Sequence, residues 1–305
     1  MIQKLKTQIN KVFVGKEEVV DLVLCCLLGG GHVLLQDIPG VGKTTLARTL
    51  AEAVRCSFGR IQFTPDTLPS DVVGMTVFNM KTSEFDYHEG GVMCQILLAD
   101  EINRTSPKTQ ASLLEAMAEG QVTVDGFRHE LPKPFMVIAT QNPIELQGPF
   151  PLPEAQLDRF FMKLSLGYMT REQEIGILRR QETVKIIEAL EQVVSTDEIL
   201  QMRSSFSQVT VSDEIANYMM QIIEYTRSSS LLVNGVSARG SLALYKASQI
   251  LAALNGRDFV IPEDVKREAV AVLPHRLMLS GRSHLGNLGF VRNMLEEIEV
   301  PLEQH

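Results

Sequence analysis

The sequence has no tryptophan, only four cysteines and no apolar run long enough to cross a membrane. Its most apolar stretch, residues 22–35, is interrupted by three consecutive glycines and falls short of the roughly 20 residues that a transmembrane helix needs. No cysteine stands in C-x-x-C spacing, which disfavours a zinc site and favours buried, reduced thiols. The polar opening resembles an amphipathic helix and not a signal peptide. We therefore expect a cytoplasmic protein without a membrane span.

Basic residues are fewer than acidic residues in this chain. The chain carries 37 acidic side chains against 29 lysines and arginines, for a formal net charge of -8. An acidic chain does not attract nucleic acid or anionic membranes non-specifically, although a local basic patch is still compatible with this charge. With 305 residues, of which 45% are hydrophobic, the chain is long enough for one large or two modest globular domains.

Four short segments predict the strands of a parallel sheet. Runs such as residues 33–35 and 96–98 are apolar without alternation, which is typical of strands covered by helices on both faces. The predicted strands are residues 32–36, 60–64, 95–99 and 135–140.

A helix and a hairpin are predicted between the last two of these strands. Ser106 is a candidate N-cap, Pro107 suits the first turn, and Gly120 suits the position after the helix. Asp125-Gly126 stands between alternating residues, which is a strong hairpin signal. Weaker turn residues predict a second hairpin over residues 77–87.

From about Tyr168 onward, strand signals fade and helical spacing dominates. We predict an α/β core over residues 1–167 and a smaller, all-helical domain over residues 168–305. The predicted helices of the second domain are residues 170–191, 196–207, 212–228, 237–254 and 262–279.

The segment "DIPGVGKTTLA", residues 37–47, joins a predicted strand to a predicted helix. Glycines let backbone N–H groups turn toward a phosphate, and Gly40 and Gly42 supply that freedom. Lys43 offers a fixed charge to the β and γ phosphates, and the Thr44 hydroxyl offers a ligand to Mg²⁺. The alternative, a glycine-rich turn with an incidental lysine, does not account for the strand-loop-helix context. The segment therefore predicts a nucleotide site.

The first position of the full phosphate-loop pattern is Asp37 in this chain, where the pattern asks for glycine. That position contributes the turn that leaves the strand and no phosphate ligand. A short aspartate supports such a turn by bonding to local backbone, and Pro39 stiffens the same loop. We therefore expect Asp37 to leave nucleotide binding intact.

The segment "ILLADE", residues 96–101, delivers two acids at the carboxyl end of a strand, the edge at which doubly wound sheets bind ligands. We expect Asp100 to hold Mg²⁺ through water, and Glu101 to orient or deprotonate the attacking water. The adjacent pair favours an ATPase over a GTPase or a nucleotide kinase. Asn142 ends another strand and could position the same water, with an ordinary Asn-Pro turn as the alternative.

Two arginines lie outside these motifs. Arg159 stands in "LPEAQLDRF", just before the predicted domain junction, and Arg239 stands at the start of a helix in the second domain. Phosphoryl transfer needs additional positive charge at the γ phosphate. Spacing alone does not distinguish that role from a solvated surface position.

Taken in order, these segments resemble the MoxR family of AAA+ ATPases over about residues 14–279. The segments that carry the resemblance are "DIPGVGKTTLA", "RIQFTPDTLPSDVVG", "LLADEINRTSPKTQASLLEAMAEGQV", "VIATQNP", "GPFPLPEAQLDRF", "VSARGSLAL" and "DVKREAVAVLPHRLML". The resemblance implies an AAA+ parallel-sheet P-loop domain followed by a helical lid. ATP with Mg²⁺ is the implied cofactor, and hydrolysis of ATP to ADP and phosphate is the implied reaction.

The resemblance also implies a role for each candidate residue. Asp100 and Glu101 match the Walker B pair, and Asn142 matches sensor 1. Arg159 matches the arginine finger given to a neighbouring subunit, and Arg239 matches sensor 2 of the lid. The implied nucleotide contacts are Val14 and Gly15 beside adenine and, in the loop, Pro39, Gly40, Val41, Gly42, Lys43, Thr44 and Thr45.

Two inserts and a set of partners complete what the resemblance implies. Residues 122–131 match the presensor-1 hairpin and residues 76–91 the helix-2 insert, which face the pore or partner side in related rings. Family members are thought to form rings, most often hexamers, that mature or activate other protein complexes, some by inserting a metal or cofactor. They often work with a partner that bears a von Willebrand factor A domain.

One departure from the family concerns the lid. The family often has "SPRA" where this chain has "SARG", residues 237–240. Arg239 is kept, but Gly240 would loosen the start of that helix by about 0.5–1 kcal/mol. We therefore expect a less rigid lid and an unchanged nucleotide site.

Three functions compete. An ATP-driven remodeller of proteins is the leading interpretation, and the alternatives are a DNA motor or loader and a slowly hydrolysing ATP-dependent scaffold. Arg128, His129 and Lys133 near the first hairpin favour a DNA role, whereas Asp125, Glu130 and the net charge oppose it. These residues do not identify the protein client.

Overall fold

The computed structural model describes residues 2–38, 40–142, 150–172, 174–175, 183–280 and 286–301. The chain forms two compact units. The first comprises Met1–Val23, His32–Leu152 and Leu164–Leu200, and the second comprises Leu24–Gly31, Pro153–Lys163 and Gln201–His305. Two short stretches that precede residue 167 therefore group with the second unit. A domain boundary at residues 167/168 stays a prediction.

The strands of the described residues are β1 (Val33–Gln36), β2 (Phe58–Gln62), β3 (Met75–Asn79), β4 (Glu84–His88), β5 (Ile96–Asp100), β6 (Gln121–Val124), β7 (Phe127–Glu130), β8 (Met136–Gln141), β9 (Met162–Leu164), β10 (Leu232–Asn234) and β11 (Met278–Leu279). The helices are α1 (Ile2–Val12), α2 (Glu17–Gly29), α3 (Lys43–Val54), α4 (Pro69–Val73), α5 (Pro107–Glu119), α6 (Glu154–Leu157), α7 (Thr183–Glu188), α8 (Thr196–Ser205), α9 (Asp213–Ser228), α10 (Ala238–Leu254), α11 (Pro262–Val272) and α12 (Asn287–Glu297).

Five strands form one sheet in the order β2-β5-β8-β1-β9, and the pairings of β2 with β5, β5 with β8 and β8 with β1 are parallel. The apolar residues of β1, β5 and β8 are fully buried, because helices cover both faces of a parallel sheet. The four predicted strands are therefore confirmed, with their ends shifted by one or two residues.

The register of the sheet sets the carboxyl ends of three strands at one edge. Gln36 of β1 pairs with Gln141 of β8, and Ala99 of β5 pairs with Ala139 of β8. The residues that follow these strands are Asp37, Glu101 and Asn142. Parallel pairing therefore brings the phosphate loop, the acid pair and the candidate asparagine to the same edge, as in other doubly wound sheets.

Helix α5 begins and ends as its sequence predicts. The Ser106 hydroxyl accepts a hydrogen bond from the Thr109 N–H at 3.3 Å, and Pro107 occupies the first turn. Gly120 ends the helix with φ +64°, a left-handed conformation that glycine adopts without steric cost.

Two antiparallel hairpins belong to the first unit, as predicted. β6 and β7 pair around Asp125 and Gly126, which both have positive φ, as this kind of two-residue turn requires. β3 and β4 pair from Met75 opposite His88 to Asn79 opposite Glu84. The Tyr87 ring of one hairpin stacks on the His129 ring of the other, with ring centroids 3.7 Å apart.

The second unit is mainly helical, as predicted, but it contains one pair of short strands. β10 and β11 pair antiparallel, and β11 lies inside the segment that we predicted to be helical through residue 279. The helix ends at Val272 because Pro274, with no N–H to donate and a ring that restricts its neighbour, follows two residues later. The predicted helix 170–191 groups with the first unit instead. Of its residues, 173 and 176–182 lie outside the described residues, and its described end is Glu188.

The four cysteines are buried, as expected, and burial raises the pKa of the Cys94 thiol to about 11. Among the described residues, none of the helices has both the length and the apolar character that a membrane span requires.

Candidate nucleotide site

The loop between β1 and α3 is shaped by two glycines. Gly40 has φ +88° and Gly42 has φ +96°, in the region that favours glycine. A methyl group on Gly40 would meet no atom of the described residues within 4 Å, so the space beside the loop is open. Pro39 lies outside the described residues. The loop can therefore present backbone N–H groups to a ligand.

Helix α3 begins at Lys43, directly after the glycine loop. Gly42 is its N-cap and has no side chain that could satisfy the N–H groups of the first turn. Lys43, the exposed Thr44 and Thr45 form that turn, while Val41 is buried and anchors the loop. An uncapped helix N-terminus with a lysine and a hydroxyl beside it is suited to a phosphate anion.

A hydrogen bond to the loop backbone holds the Lys43 side chain. Its Nζ donates a hydrogen bond to the Asp37 carbonyl at 2.9 Å. Asp37 directly follows β1 and Lys43 begins α3, so this bond holds the ammonium group close to the turn that would enclose the phosphates.

Asp37 does not act through local backbone, and our expectation on that point is wrong. Its buried carboxylate accepts hydrogen bonds from the Ser165 hydroxyl at 2.7 Å, the Leu166 N–H at 2.7 Å and the Gly167 N–H at 3.0 Å. These partners are 128–130 residues further along the chain but belong to the same compact unit. Pattern matching treats Asp37 as a turn residue because the sequence does not show which distant backbone lies beside it.

The stretch before α2 lies against the same loop. A methyl group at Gly42 would lie 3.5 Å from the Phe13 ring, so the ring lies beside this glycine of the loop. Val14 follows and is 47% exposed, and Gly15 has φ +74°. An exposed apolar side chain and a glycine near the loop are compatible with the predicted adenine contact.

The acid pair is organised by a residue that the sequence analysis missed. Thr140 of β8 is fully buried, and its hydroxyl donates to Asp100 Oδ1 at 2.6 Å and accepts from the Glu101 N–H at 2.8 Å. The other oxygen of Asp100 accepts from the Arg60 guanidinium at 2.8 Å. Neighbouring strands therefore fix both acids at the carboxyl edge of the sheet.

Glu101 has a backbone conformation that is uncommon outside glycine. Its φ is +58°, which costs of order 1 kcal/mol in a residue with a side chain. Its carboxylate accepts hydrogen bonds from Gln62 at 3.0 Å and from Arg104 at 2.8 Å. Strain of this kind collects at functional sites, because the surrounding hydrogen bonds hold it in place. Asn142 follows β8 at the same edge and is buried.

The donor set suits Mg²⁺ together with a nucleotide. Mg²⁺ prefers oxygen ligands and is usually held by one or two carboxylates together with phosphates and water. Asp100 offers a carboxylate and Thr44 a hydroxyl at this edge. Within the described ranges, no three His, Cys, Asp or Glu side chains cluster in a way that could hold a metal ion by themselves. The residues present therefore fit a metal that arrives with a phosphate ligand.

Arg159 and Arg239 belong to the second unit. Arg159 lies between α6 and β9, and Arg239 lies in the first turn of α10 with Nη1 4.0 Å from Asp158 Oδ2. Asp158 also accepts from the Ser237 hydroxyl at 2.9 Å and from Arg276 Nε at 2.8 Å. One carboxylate therefore joins the chain beside Arg159 to the helix that carries Arg239.

Arg276 and His275 form the buried side of this network. Arg276 donates to the carbonyls of Phe160 and Phe161 as well as to Asp158. Burial lowers the pKa of Arg276 to about 10, and the negative charge of Asp158 opposes that shift. Burial, together with the adjacent guanidinium, holds the pKa of His275 well below its usual value of 6.5.

Comparisons with known proteins agree with this architecture. Residues 32–162 match the family model described as "ATPase family associated with various cellular activities (AAA)", and residues 224–290 match the AAA lid domain. A crystal structure of a candidate ATPase from Cytophaga hutchinsonii has a TM-score of 0.91 at 35% identity, covering 99% of this chain and 95% of that one.

Curated relatives identify the family. The chain is 47% identical to the uncharacterized protein YeaC of Bacillus subtilis, across 100% of this chain and 96% of the relative. It is 39% identical to Chaperone MoxR1 of Mycobacterium tuberculosis, across 90% of this chain and 74% of the relative. This chain belongs to the MoxR family of AAA+ ATPases.

The roles that the MoxR-family resemblance implies for the phosphate loop and the acids stay predictions, and the resemblance did not identify the residues that support them. Thr140, Arg60 and Gln62 hold the acid pair, and Phe13 lies against the loop. Each of them sits on a neighbouring strand or an earlier loop. Thr140 ends the predicted strand 135–140, and that position is a signal that could have identified it; Arg60, Gln62 and Phe13 carry no such signal.

The departure at Gly240 has a structural reason. A methyl group there would lie 2.5 Å from Val236 Cγ1 and 2.7 Å from Arg276 Cδ. The small residue thus makes room for the buried arginine stem, and the Ser237 cap to the Gly240 N–H at 3.1 Å still starts the helix. In this MoxR-family member, the glycine is part of the packing of the lid.

Proposed function

We propose that this MoxR-family ATPase acts as a ring that uses ATP hydrolysis to remodel protein clients. The observation that carries the proposal is the pair of hairpins on the ATPase unit. Three large apolar side chains of these hairpins are exposed: Met80 is 89% exposed, Phe85 73% and Phe127 71%. Apolar side chains held out into solvent mark surfaces that contact other proteins.

The same hairpins offer little to a nucleic acid. His129 is stacked on Tyr87, and Lys133 pairs with Glu130 at 3.6 Å. Arg128 and Lys81 are exposed basic side chains of these hairpins, and the exposed acids Glu84, Asp86 and Asp125 lie on the same two hairpins. Binding to a phosphate backbone requires several uncompensated cations, so these hairpins favour a protein client over DNA.

We propose that the nucleotide site works as follows. Lys43, the N–H groups of the first turn of α3 and the loop glycines hold the phosphates, and Val14 and Gly15 lie beside the base. Asp100 and Thr44 hold Mg²⁺, which neutralises phosphate charge when bound. Glu101, set in place by Gln62 and Arg104, accepts a proton from the attacking water, and Asn142 orients that water.

The proposed roles of the second unit concern the ring. Arg159 is supplied to the ATP of a neighbouring subunit, and Arg239 senses the γ phosphate from the lid. Chaperone MoxR1, named above, supports a chaperone-like role by its name. A hexameric ring, a partner with a von Willebrand factor A domain, insertion of a metal or cofactor in the client, and a cytoplasmic location remain predictions from the family resemblance.

The first experiment measures steady-state ATPase activity alone, with DNA and with an unfolded model protein. A remodeller should be stimulated by the unfolded protein and unaffected by DNA. Stimulation by DNA would support the motor alternative, and very slow turnover under all three conditions would support the scaffold alternative.

The second experiment tests the hairpins in the non-hydrolysing Glu101→Gln background, which should hold a client in the ATP state. Replacing Met80, Phe85 and Phe127 by serine should weaken binding of the unfolded protein at least tenfold and leave ATP affinity unchanged. Leu242→Ser is the matched control, because Leu242 is 63% exposed but lies on α10 in the second unit. Equal loss in the control would exclude the hairpins as the client surface.

A further inference from the structure

One carboxylate accepts the hydrogen bonds that a short segment, residues 165–168, donates. Asp37 accepts hydrogen bonds from the Ser165 hydroxyl, the Leu166 N–H and the Gly167 N–H, all between 2.7 and 3.0 Å. Asp37 is 5% exposed, and the Leu166 side chain is 2% exposed. Hydrogen bonds to a charged group in such a place are stronger than neutral ones.

The acceptor side of the same segment is held by a cation. Lys16 Nζ donates to the carbonyls of Leu166, of Gly167 at 3.3 Å and of Tyr168 at 2.9 Å. The N–H groups therefore point to a negative charge and the C=O groups to a positive charge. Gly167, with φ +61°, allows consecutive carbonyls to turn toward the lysine. Asp37 and Lys16 form a clamp on the 165–168 segment.

Both residues of the clamp also belong to the candidate nucleotide site. Asp37 opens the phosphate loop, and its carbonyl accepts from Lys43 Nζ at 2.9 Å. Lys16 directly follows Val14 and Gly15, the predicted adenine contact, and its carbonyl accepts from Val20 in the first turn of α2. Asp37 thus contacts both parts of the molecule: its main-chain carbonyl bonds to Lys43, and its side chain bonds to the 165–168 segment.

We propose that Asp37 and Lys16 are positioning residues that transmit occupancy of the nucleotide site to the 165–168 segment. This inference rests on the proposed binding of ATP. A triphosphate draws Lys43 Nζ away from the Asp37 carbonyl and orders the loop around itself. Opening the 165–168 segment then requires breaking its bonds to a loop that the nucleotide holds, so local opening becomes rarer.

The test is amide hydrogen exchange on the full chain in the Glu101→Gln background, with and without ATP and Mg²⁺. ATP should slow exchange of the Leu166 and Gly167 amides at least tenfold. It should also slow exchange in α3, which begins at the phosphate loop and reports binding itself.

Asp37→Gly is the deciding variant, because it completes the phosphate-loop pattern. If Asp37 were only a turn residue, this change would preserve or improve every response to ATP. We expect ATP to keep slowing exchange in α3 while the response at Leu166 and Gly167 is lost. Asp37→Asn and Lys16→Met, which keep the shape of each side chain, should lose most of the same response.

Asp71→Asn is the matched control, since Asp71 accepts a hydrogen bond from the Leu68 N–H at 2.8 Å in the same unit. It should leave both responses intact. A full response at Leu166 and Gly167 in both Asp37→Gly and Lys16→Met would overturn the clamp. An unresponsive segment beside a responsive α3 in the parent would also overturn it. If α3 does not respond either, ATP binding itself is refuted, and the proposed function fails first.

Discussion

The two units each contain an aspartate with several partners, but the partners differ in kind. In the first unit, Asp37 accepts from two backbone N–H groups and a hydroxyl, all uncharged. In the second, Asp158 accepts from the Arg276 guanidinium and from Ser237, with Arg239 Nη1 4.0 Å away. The Arg276 side chain is only 2% exposed.

This difference indicates what each region would lose without its aspartate. Without Asp158, a buried guanidinium would lose the carboxylate with which it pairs, and breaking a buried pair costs several kcal/mol. Without Asp37, the first unit would lose hydrogen bonds but would leave no buried cation unpaired, because Lys16 keeps its carbonyl partners. Charge in the second unit therefore chiefly maintains the fold, whereas charge in the first chiefly shapes the candidate site.

The largest expected effect comes from Arg159→Ala, which tests whether the second unit also contributes to the reaction. If Arg159 serves a neighbouring subunit, the variant should bind ATP through its own Lys43 and Thr44. Its hydrolysis should fall by about 10³–10⁵-fold, the range for arginine fingers. Steady-state ATPase measurements and ATP binding by calorimetry check both parts.

Mixing two variants sharpens this test. Lys43→Ala should lose ATP binding, and Arg159→Ala should lose hydrolysis, but a mixed ring pairs an intact loop with an intact arginine. Activity should return in mixtures that co-assemble, and activity of the parent chain should rise with protein concentration. Recovery of no activity in co-assembled mixtures would place the role of Arg159 within its own subunit.

The contrast between the units also shows what could be predicted from the sequence. Apolar strands, the glycine loop and the adjacent acids are local patterns, so β1, β5 and β8 were predicted without a structure, and the same patterns carry the predicted roles of Lys43 and Asp100. The partners of Asp37 and the Thr140 bridge were not found, because they depend on which distant segments the fold brings together. The end of α11 was predicted too late, since helical spacing outweighed Pro274 in the interpretation of that segment.

Asp158→Asn tests whether the charge of Asp158 stabilises the second unit. It should lower the free energy of unfolding by about 3 kcal/mol, because it leaves Arg276 buried without a counter-charge. Asp37→Asn should cost about half as much. Because the chain has no tryptophan, denaturation followed by circular dichroism is the suitable measurement.

A double variant provides the control for this prediction. Arg276→Met combined with Asp158→Asn removes the buried charge together with its partner, so most of the lost stability should return. If the double variant is as unstable as the sum of the two single variants, the two side chains do not act as a pair.

Gly240→Ala tests packing around the same arginine. Helix propensity alone predicts a gain of about 0.5–1 kcal/mol from this change. The close approach to Val236 and Arg276 predicts instead a loss of about 2 kcal/mol from overpacking. Gly286→Ala is the matched control, because a methyl group there would meet no described atom within 4 Å. A stabilising Gly240→Ala would show that Arg276 moves aside at no cost.

The smallest expected effect is a pH dependence that arises in the second unit alone. His275 is buried, its Nε2 lies 2.7 Å from Arg276 Nη1, and its pKa in the folded protein is well below 6.5 because of burial and then the guanidinium. In the unfolded chain the imidazole takes up a proton near pH 6.5, so below that pH the unfolded state binds more protons. The free energy of unfolding should therefore fall as the pH drops, by about 1 kcal/mol at pH 5.5 from this residue.

His275→Gln removes the titrating group and should flatten this part of the pH profile, whatever it does to stability at pH 8. His88→Gln on the exposed β4 is the matched control and should leave the slope unchanged. Thermal unfolding of the three proteins between pH 5.5 and pH 8 measures the slopes. Identical slopes in His275→Gln and the parent would mean that the pKa of His275 is the same in the folded and the unfolded chain. Burial beside Arg276 would then not disfavour the imidazolium, and the contrast between the two aspartates would no longer account for the electrostatics of the second unit.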